Sequence, residues 1–207
     1  MMLTLIIVLS YLLGSVSGSL MLGRLRGVDI RTMGSGNAGG TNALRTQGIV
    51  FALGVALIDV GKGVLAAYLA QRWLPESPDA AYLAVFAAVL GHIWPVFHGF
   101  RGGKGAATLV GGLLLTWPQA LWVVLAVWLL CLLLSGYVGL STVLAALSLL
   151  ASAYFFEASQ SQWLFAIASA LLLTFSHRDN LRRLRQGEES PFEKARILGR
   201  LLFGPRG

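Results

Sequence analysis

Charge is scarce in this chain. Asp, Glu, Lys and Arg make up 12% of its 207 residues, and 56% are apolar. Soluble domains carry about 25% charged and about 45–50% apolar residues, so the composition excludes a water-soluble globular fold. Cysteine is nearly absent as well. A single Cys131, inside an apolar run, rules out an intrachain disulfide framework and, without a partner group, makes a poor nucleophile. Histidine is limited to three residues, and neither His92 nor His98 has a neighbouring carboxylate in sequence. That leaves no metal-ligand set, so no metal and no cofactor is expected.

The charges that do exist are placed asymmetrically. Met2 to Leu22 carries none, which is long enough to span a bilayer, and Arg24, Arg26 and Arg31 follow it. No basic residue precedes this stretch, so it reads as a span rather than a secretory signal. Basic residues stay cytoplasmic, which sets the N-terminus outside. Ile49 to Ala70 is a second span holding Asp59 and Lys62, and Ala80 to about Phe97 a third. Gly105 to Phe156 has no charge at all, so spans there are cut at Trp117-Pro118 and Ser135-Gly136. A last span runs over Trp163–Ser176 and begins as early as Ser159.

Counting the short Ala106–Trp117 piece as a crossing leaves the basic tail inside. The expectation is an all-α integral membrane protein, one membrane domain over residues 1–207. It has seven transmembrane helices, the N-terminus outside and the C-terminus cytoplasmic. All of the 16 Lys and Arg residues except Arg72 and Lys62 then face the cytoplasm. The tail, 178–207, reads as an amphipathic basic segment on anionic membrane lipids. Because the basic residues follow membrane topology rather than one soluble face, nucleic acid is not an expected partner.

Three polar clusters fall on that cytoplasmic side. The first, Met33 to Thr46, contains Gly34, Gly36 and Gly39 in the spacing of a dinucleotide loop, but it follows a transmembrane span, not a buried strand. What remains is an anion cradle. Glycines let backbone N–H groups converge, Ser35, Asn37 and Thr41 add side-chain donors, and Arg45 adds a fork suited to phosphate. The second, Gly91 to Thr108, fails the Walker pattern and instead puts Lys104 in a Gly-Gly-Lys-Gly loop that opens a helix at Ala106. His92 and His98 are each as well explained by a structural role as by a ligand role. The third begins at Ser176, where His177 and Asn180, three apart, share a face if the helix continues. Asp59 and Lys62 are also three apart, and function and a structural ion pair are equally supported.

Taken together, these clusters resemble the bacterial membrane acyl-phosphate:glycerol-3-phosphate acyltransferases. That family carries a GSGNxGATNxxR loop, a GHxxPxFxxFxGGKGxAT loop and an HRxNIxRLxxGxE tail. They stand here as Gly34 through Asn42 with Arg45, Gly91-His92 through Thr108, and His177 through Glu189, in order along most of the chain. Gly40 stands where the family has Ala and Leu181 where it has Ile. After Tyr137-Val138 the family's Ser is Gly139, while Thr142 keeps a later hydroxyl. The resemblance implies acyl transfer from acyl phosphate to the 1-hydroxyl of glycerol 3-phosphate, the first acylation in phospholipid synthesis, by a monomer of the bacterial inner membrane. It implies catalytic roles for Ser35, His177 and Asn180. It implies substrate binding by Gly36, Asn37, Gly39, Gly40, Thr41, Asn42, Arg45, Gly103, Lys104, Gly105 and Thr142. The absence of a His-x4-Asp pair favours acyl phosphate over thioester donors. An organic-phosphate transporter and a lipid-recruiting scaffold are the rival classes.

Overall fold

In a computed structural model that describes residues 1–204, the chain is helical and, among the described residues, has no strand. The helices are α1 (Met2–Gly14), α2 (Gly18–Leu25), α3 (Gly40–Gln47), α4 (Ile49–Trp73), α5 (Asp79–Ile93), α6 (Ala106–Thr116), α7 (Pro118–Ser135), α8 (Val138–Phe155), α9 (Gln160–Ser176), α10 (Arg178–Arg185) and α11 (Ile197–Phe203). The last three residues of the expected tail, 205–207, lie outside the described residues.

Among the described residues, four stretches are long and apolar enough to cross a membrane: Ile49–Trp73, Asp79–His98, Pro118–Ser135 and Val138–Phe155. A fifth is the pair α1 and α2, bent by 44°. The uncharged run at Met2 is therefore not one straight span. Gly14-Ser15-Val16-Ser17-Gly18 interrupts it, because Ser15 turns its hydroxyl back onto Tyr11 O and glycine closes one helix and opens the next. Helix α6, with 11 residues, is apolar but short.

Local chemistry sets the remaining boundaries. Gly48, at φ +83°, separates α3 from α4, a conformation in which a Cβ is penalised. Pro118 opens α7 at a position where its missing N–H costs nothing. Ser159 and Gln162 cap α9 reciprocally, the Gln162 amide donating to Ser159 Oγ and the Ser159 amide to Gln162 Oε1. Such a box contributes about 1 kcal/mol to a helix start.

The chain divides into two compact units, Met1–Pro118 and Gln119–Gly207. In the first, α4 packs on α5 and α6, and α1 on α5. Lipid tails supply no hydrophobic drive between helices, so packing relies on close backbone approach at small residues. A Cβ on Gly63 would overlap the Thr108 carbonyl, one on Gly111 the Val60 carbonyl, and one on Gly14 the Ala88 carbonyl. Large apolar side chains such as Leu53, Leu57 and Leu83 are left on the outside, as lipid contact requires. In the second unit α8 packs on α9. The Phe192 amide donates to Gly136 O at 2.7 Å, which ties the segment before α11 to the turn after α7.

Candidate active site

The first Gly-rich cluster is a loop folded around one side chain. Asn42, on α3, is 2% exposed. Its Oδ1 accepts from the Ser35 amide at 3.0 Å, and its Nδ2 donates to Ile30 O, Met33 O and Asn37 O, each at 3.0 Å. Gly34 must be glycine twice over: its φ is +55°, and a Cβ would overlap Asn42 Oδ1. Asn42, expected among the substrate contacts, therefore has its amide committed to the loop itself. Ser35, Gly36 and Thr41 are exposed around it, while Gly40 is half-buried. Helix α3 starts after Gly39 with no side-chain cap, so its first amides carry the partial positive charge of a helix N-terminus. Ala43, Leu44 and Arg45, good helix formers, carry the helix over Gly40–Gln47, a stretch that its place in the Gly-rich cluster marks in sequence as a loop.

The second cluster is arranged differently from a phosphate nest. The Gly102 amide donates to Ile93 O at 3.2 Å and the Gly103 amide to His92 O at 3.1 Å, so both cap the end of α5. The donors left for an anion are those at the start of α6. Its N-cap, Gly105, has φ +88° and offers no side-chain cap, and a Cβ there would press on Val89 and Ile93. The half-buried Lys104 stands immediately before it. A Cβ on Gly103 would come within 2.9 Å of the Ala38 carbonyl oxygen, so the first and second loops meet within this unit.

Arg31, one of the basic residues that set the topology, also pairs with Asp29. The Arg31 guanidinium donates to both Asp29 oxygens and also to His98 O at 3.1 Å and Arg101 O at 3.4 Å. It thereby ties the linker to the second loop. The hydrogen bond from its side chain, then that from its backbone amide, hold the Asp29 carboxyl down at about 2. The pairing at i, i+2 was visible in the sequence; its reach to residues 98 and 101 was not.

Asp59 and Lys62 do pair, at 3.1 Å, and both are buried. Lys62 Nζ donates to Gly14 O and Val16 O, each at 2.9 Å, which are carbonyls freed where α1 breaks. Asp59 Oδ1 accepts from the Gly18 amide at the start of α2, at 3.2 Å. The fold also supplies what the sequence around His92 lacks: Asp59 Oδ1 lies 3.5 Å from its Nδ1. Among the described residues no three His, Cys, Asp or Glu side chains gather as a metal set.

In the second unit the helix does not continue through His177. Helix α9 ends at Ser176, His177 takes φ −101° and ψ 8°, and α10 begins at Arg178. His177 is buried, with Nδ1 at 2.8 Å from Leu173 O. A carbonyl only accepts, so Nδ1 carries a proton that it donates to Leu173 O. Asn180 Nδ2 donates to Glu189 Oε1, and Arg183 Nε donates to Glu189 Oε2 at 2.7 Å. The departure at Gly139 falls in contact with this group: a Cβ there would sit 2.7 Å from Asn180 Cβ. Thr142 is buried and donates its hydroxyl to Val138 O at 2.9 Å while accepting from Trp128 Nε1 at 3.2 Å.

Known proteins share this architecture. A family model for glycerol-3-phosphate acyltransferases matches residues 4–187. A glycerol-3-phosphate acyltransferase of Symbiobacterium thermophilum is 40% identical over 183 residues, 88% of this chain and 91% of its own. One from a Jannaschia species is 45% identical over 189 residues, 90% of this chain and 91% of its own. The crystal structure of PlsY (YgiH), an integral membrane glycerol 3-phosphate acyltransferase, in its glycerol 3-phosphate form superposes with a TM-score of 0.89. It is 32% identical and covers 96% of this chain and 99% of that one. Helix pattern, loop chemistry and likeness agree, and the chain belongs to the glycerol-3-phosphate acyltransferase family as an integral membrane acyltransferase.

Proposed function

We propose that the acyl donor is an acyl phosphate and that the products are 1-acylglycerol 3-phosphate and inorganic phosphate. The observation that carries this reading is that α3 and α6, whose N-termini carry no side-chain cap, both open from Gly-rich loops, and that these loops meet at Ala38 and Gly103. Two such termini suit two phosphate groups. Glycerol 3-phosphate accounts for one, and an acyl phosphate donor accounts for the other. The crystal form of PlsY described as its lysophosphatidic acid form, TM-score 0.87, supports the product.

In the reaction the 1-hydroxyl oxygen attacks the acyl carbonyl carbon. The bond from that carbon to the phosphate oxygen breaks, and phosphate leaves with the electron pair. Phosphate is already a good leaving group, so no covalent acyl-enzyme is required. Gly36, Asn37, Gly39, Gly40 and Thr41 hold the donor phosphate, with Asn42 shaping their loop. Arg45 and Lys104, with Gly103 and Gly105 setting the loop, hold glycerol 3-phosphate. Thr142, which the family resemblance assigns to substrate binding, serves there by its place on α8, since its hydroxyl is engaged by Val138 O and Trp128 Nε1. By the same resemblance, Ser35, His177 and Asn180 orient the attacking hydroxyl. Its proton goes either to His177 Nε2 or to a donor phosphate oxygen. Nδ1 of His177 donates to Leu173 O, so in the neutral ring Nε2 is the acceptor, which suits both versions.

The reading includes seven crossings of the bacterial inner membrane by a monomer, with the N-terminus outside, the site on the cytoplasmic face and the tail on anionic lipid. Its support is the charge bias. Helix α6 then spans about 16 Å at about 1.5 Å per residue, a thin crossing. The test is donor choice by the purified chain. Palmitoyl phosphate with glycerol 3-phosphate is expected to yield acylated product and phosphate in equal amounts, and palmitoyl-CoA none. Turnover with palmitoyl-CoA alone would reject the acyl phosphate donor.

A further inference from the structure

Three ionisable side chains are buried in the first unit and have no part in the chemistry above. They are Asp59 and Lys62 on α4 and His92 near the end of α5, at 1%, 4% and 3% exposure. Lys62 Nζ lies 2.7 Å from His92 Nδ1. Nδ1 thus sits between the Lys62 ammonium and Asp59 Oδ1, 3.5 Å away, while Gly14 O and Val16 O take further N–H groups of Lys62. Contacts from both side chains at Nδ1 hold the ring in one plane. Its far edge lies against the second loop, where a Cβ on Gly103 would overlap Nε2 and Cε1. The main chain is pinned at the same place by the Gly103 amide on His92 O and the Gly102 amide on Ile93 O. Lys104 is the next residue. On its other side the cluster holds the break between α1 and α2 through Gly14 O, Val16 O and the Gly18 amide.

We propose that Lys62, Asp59 and His92 form a positioning cluster that sets the Gly102–Gly105 loop, and with it Lys104, for the phosphate of glycerol 3-phosphate. It acts through the His92 ring, which Lys62 and Asp59 hold in one orientation. The inference rests on the reading of the Lys104 loop as the glycerol 3-phosphate site. A cluster that served only to clip the broken helix would affect folding and leave both substrates equally served. Replacing a buried ion pair with apolar groups is often neutral for stability, so the two roles are separable by experiment.

The test uses the full chain in detergent. Dissociation of glycerol 3-phosphate is measured calorimetrically without any acyl donor, and KM for each substrate and the melting temperature are measured in parallel. His92→Asn keeps an acceptor near the Nδ1 position for Lys62 but removes the edge beneath Gly103. It is expected to raise Kd and KM for glycerol 3-phosphate by about tenfold to about a hundredfold, the cost of displacing a binding group by about 1 Å. KM for the acyl donor stays near wild type, and His92→Gln, which restores an amide at the far edge, recovers part of the loss. Wild-type affinity in folded His92→Asn would overturn the proposal, as would a loss shared equally by both substrates. If Lys104→Ala binds glycerol 3-phosphate normally, the reading of the loop fails and the inference with it. If Lys104→Ala is impaired and His92→Asn is not, only the inference fails. Should His92→Asn not fold, the wild type decides by nitrogen NMR of its histidines. A His92 ring-nitrogen signal that shifts on saturation with glycerol 3-phosphate supports the proposal, and an unmoved signal overturns it.

Discussion

Replacing Asn42 separates a residue that shapes the first loop from one that touches substrate. Its amide provides one acceptor and two N–H donors to four backbone groups, spread over Ile30, Met33, Ser35 and Asn37. Two N–H groups shared among three carbonyls, with one accepted bond, amount to about three bonds, so Asn42→Ala loses about 1 kcal/mol net for each, about 3 kcal/mol in all. If the closed loop had no surplus stability, its population would fall by a factor of about 150, since about 1.4 kcal/mol is tenfold. Any surplus absorbs part of this. KM for the acyl donor is therefore expected to rise between about tenfold and about 150-fold, because binding must close the loop first. Asn42→Asp is expected to be worse than Asn42→Ala, although it is nearly isosteric. Its carboxylate would face three carbonyl oxygens and could donate to none. Steady-state kinetics on both variants, with hydrogen exchange at residues 34–37 as the structural readout, tests this. A folded Asn42→Ala with KM within about twofold of wild type, or an Asp variant better than the Ala variant, would refute the argument.

Other outcomes follow from particular contacts. If His177 only positions the hydroxyl, His177→Gln keeps most activity while His177→Ala loses it; loss of both alike, with folded protein, assigns the proton to Nε2. Gly63→Ala is expected to lower stability by about 1–3 kcal/mol, the range for overpacking, because its Cβ meets the Thr108 carbonyl, whereas Gly61 has open space around it. Thermal melts of Gly63→Ala and Gly61→Ala compare them directly. Gly139→Ser pushes on Asn180 and is expected to change kcat more than melting temperature, as steady-state kinetics and melts would read. The Asp29 carboxyl, held at about 2 by Arg31, favours the folded chain above its ordinary value near 3.8 and loses that contribution as pH falls toward 2. The pair is partly exposed, so Asp29→Asn is expected to shift stability near neutral pH by less than about 1 kcal/mol in a denaturation titration.

The sequence made some of this legible and hid the rest for physical reasons. Apolar runs bounded by Arg24, Pro75 to Asp79 and Trp117-Pro118 mark helices, because charge and proline are the expensive residues in a bilayer. The bend at Gly14 to Ser17 is not visible, since a uniformly apolar run reports its cost of burial and not its axis. Lys62 and Asp59 show their pairing through spacing. Their work at the bend depends on carbonyls 46 and 48 residues away from Lys62, which no local pattern encodes. The glycines of both loops announce backbone approach, but not its direction. Gly102 and Gly103 turn their amides toward α5, while Gly34 makes room for Asn42. Likewise His177 and Asn180 are three apart, but the chain turns at His177 and Asn180 goes to Glu189.

The most direct test of the account is phosphate release from palmitoyl phosphate by purified protein, followed together with acylated product, for wild type and Lys104→Ala over a range of glycerol 3-phosphate. The account predicts one phosphate per acyl chain transferred, no release without glycerol 3-phosphate, and a large rise in its KM in Lys104→Ala. Phosphate release that ignores glycerol 3-phosphate, or a Lys104→Ala enzyme with an unchanged KM, would contradict it.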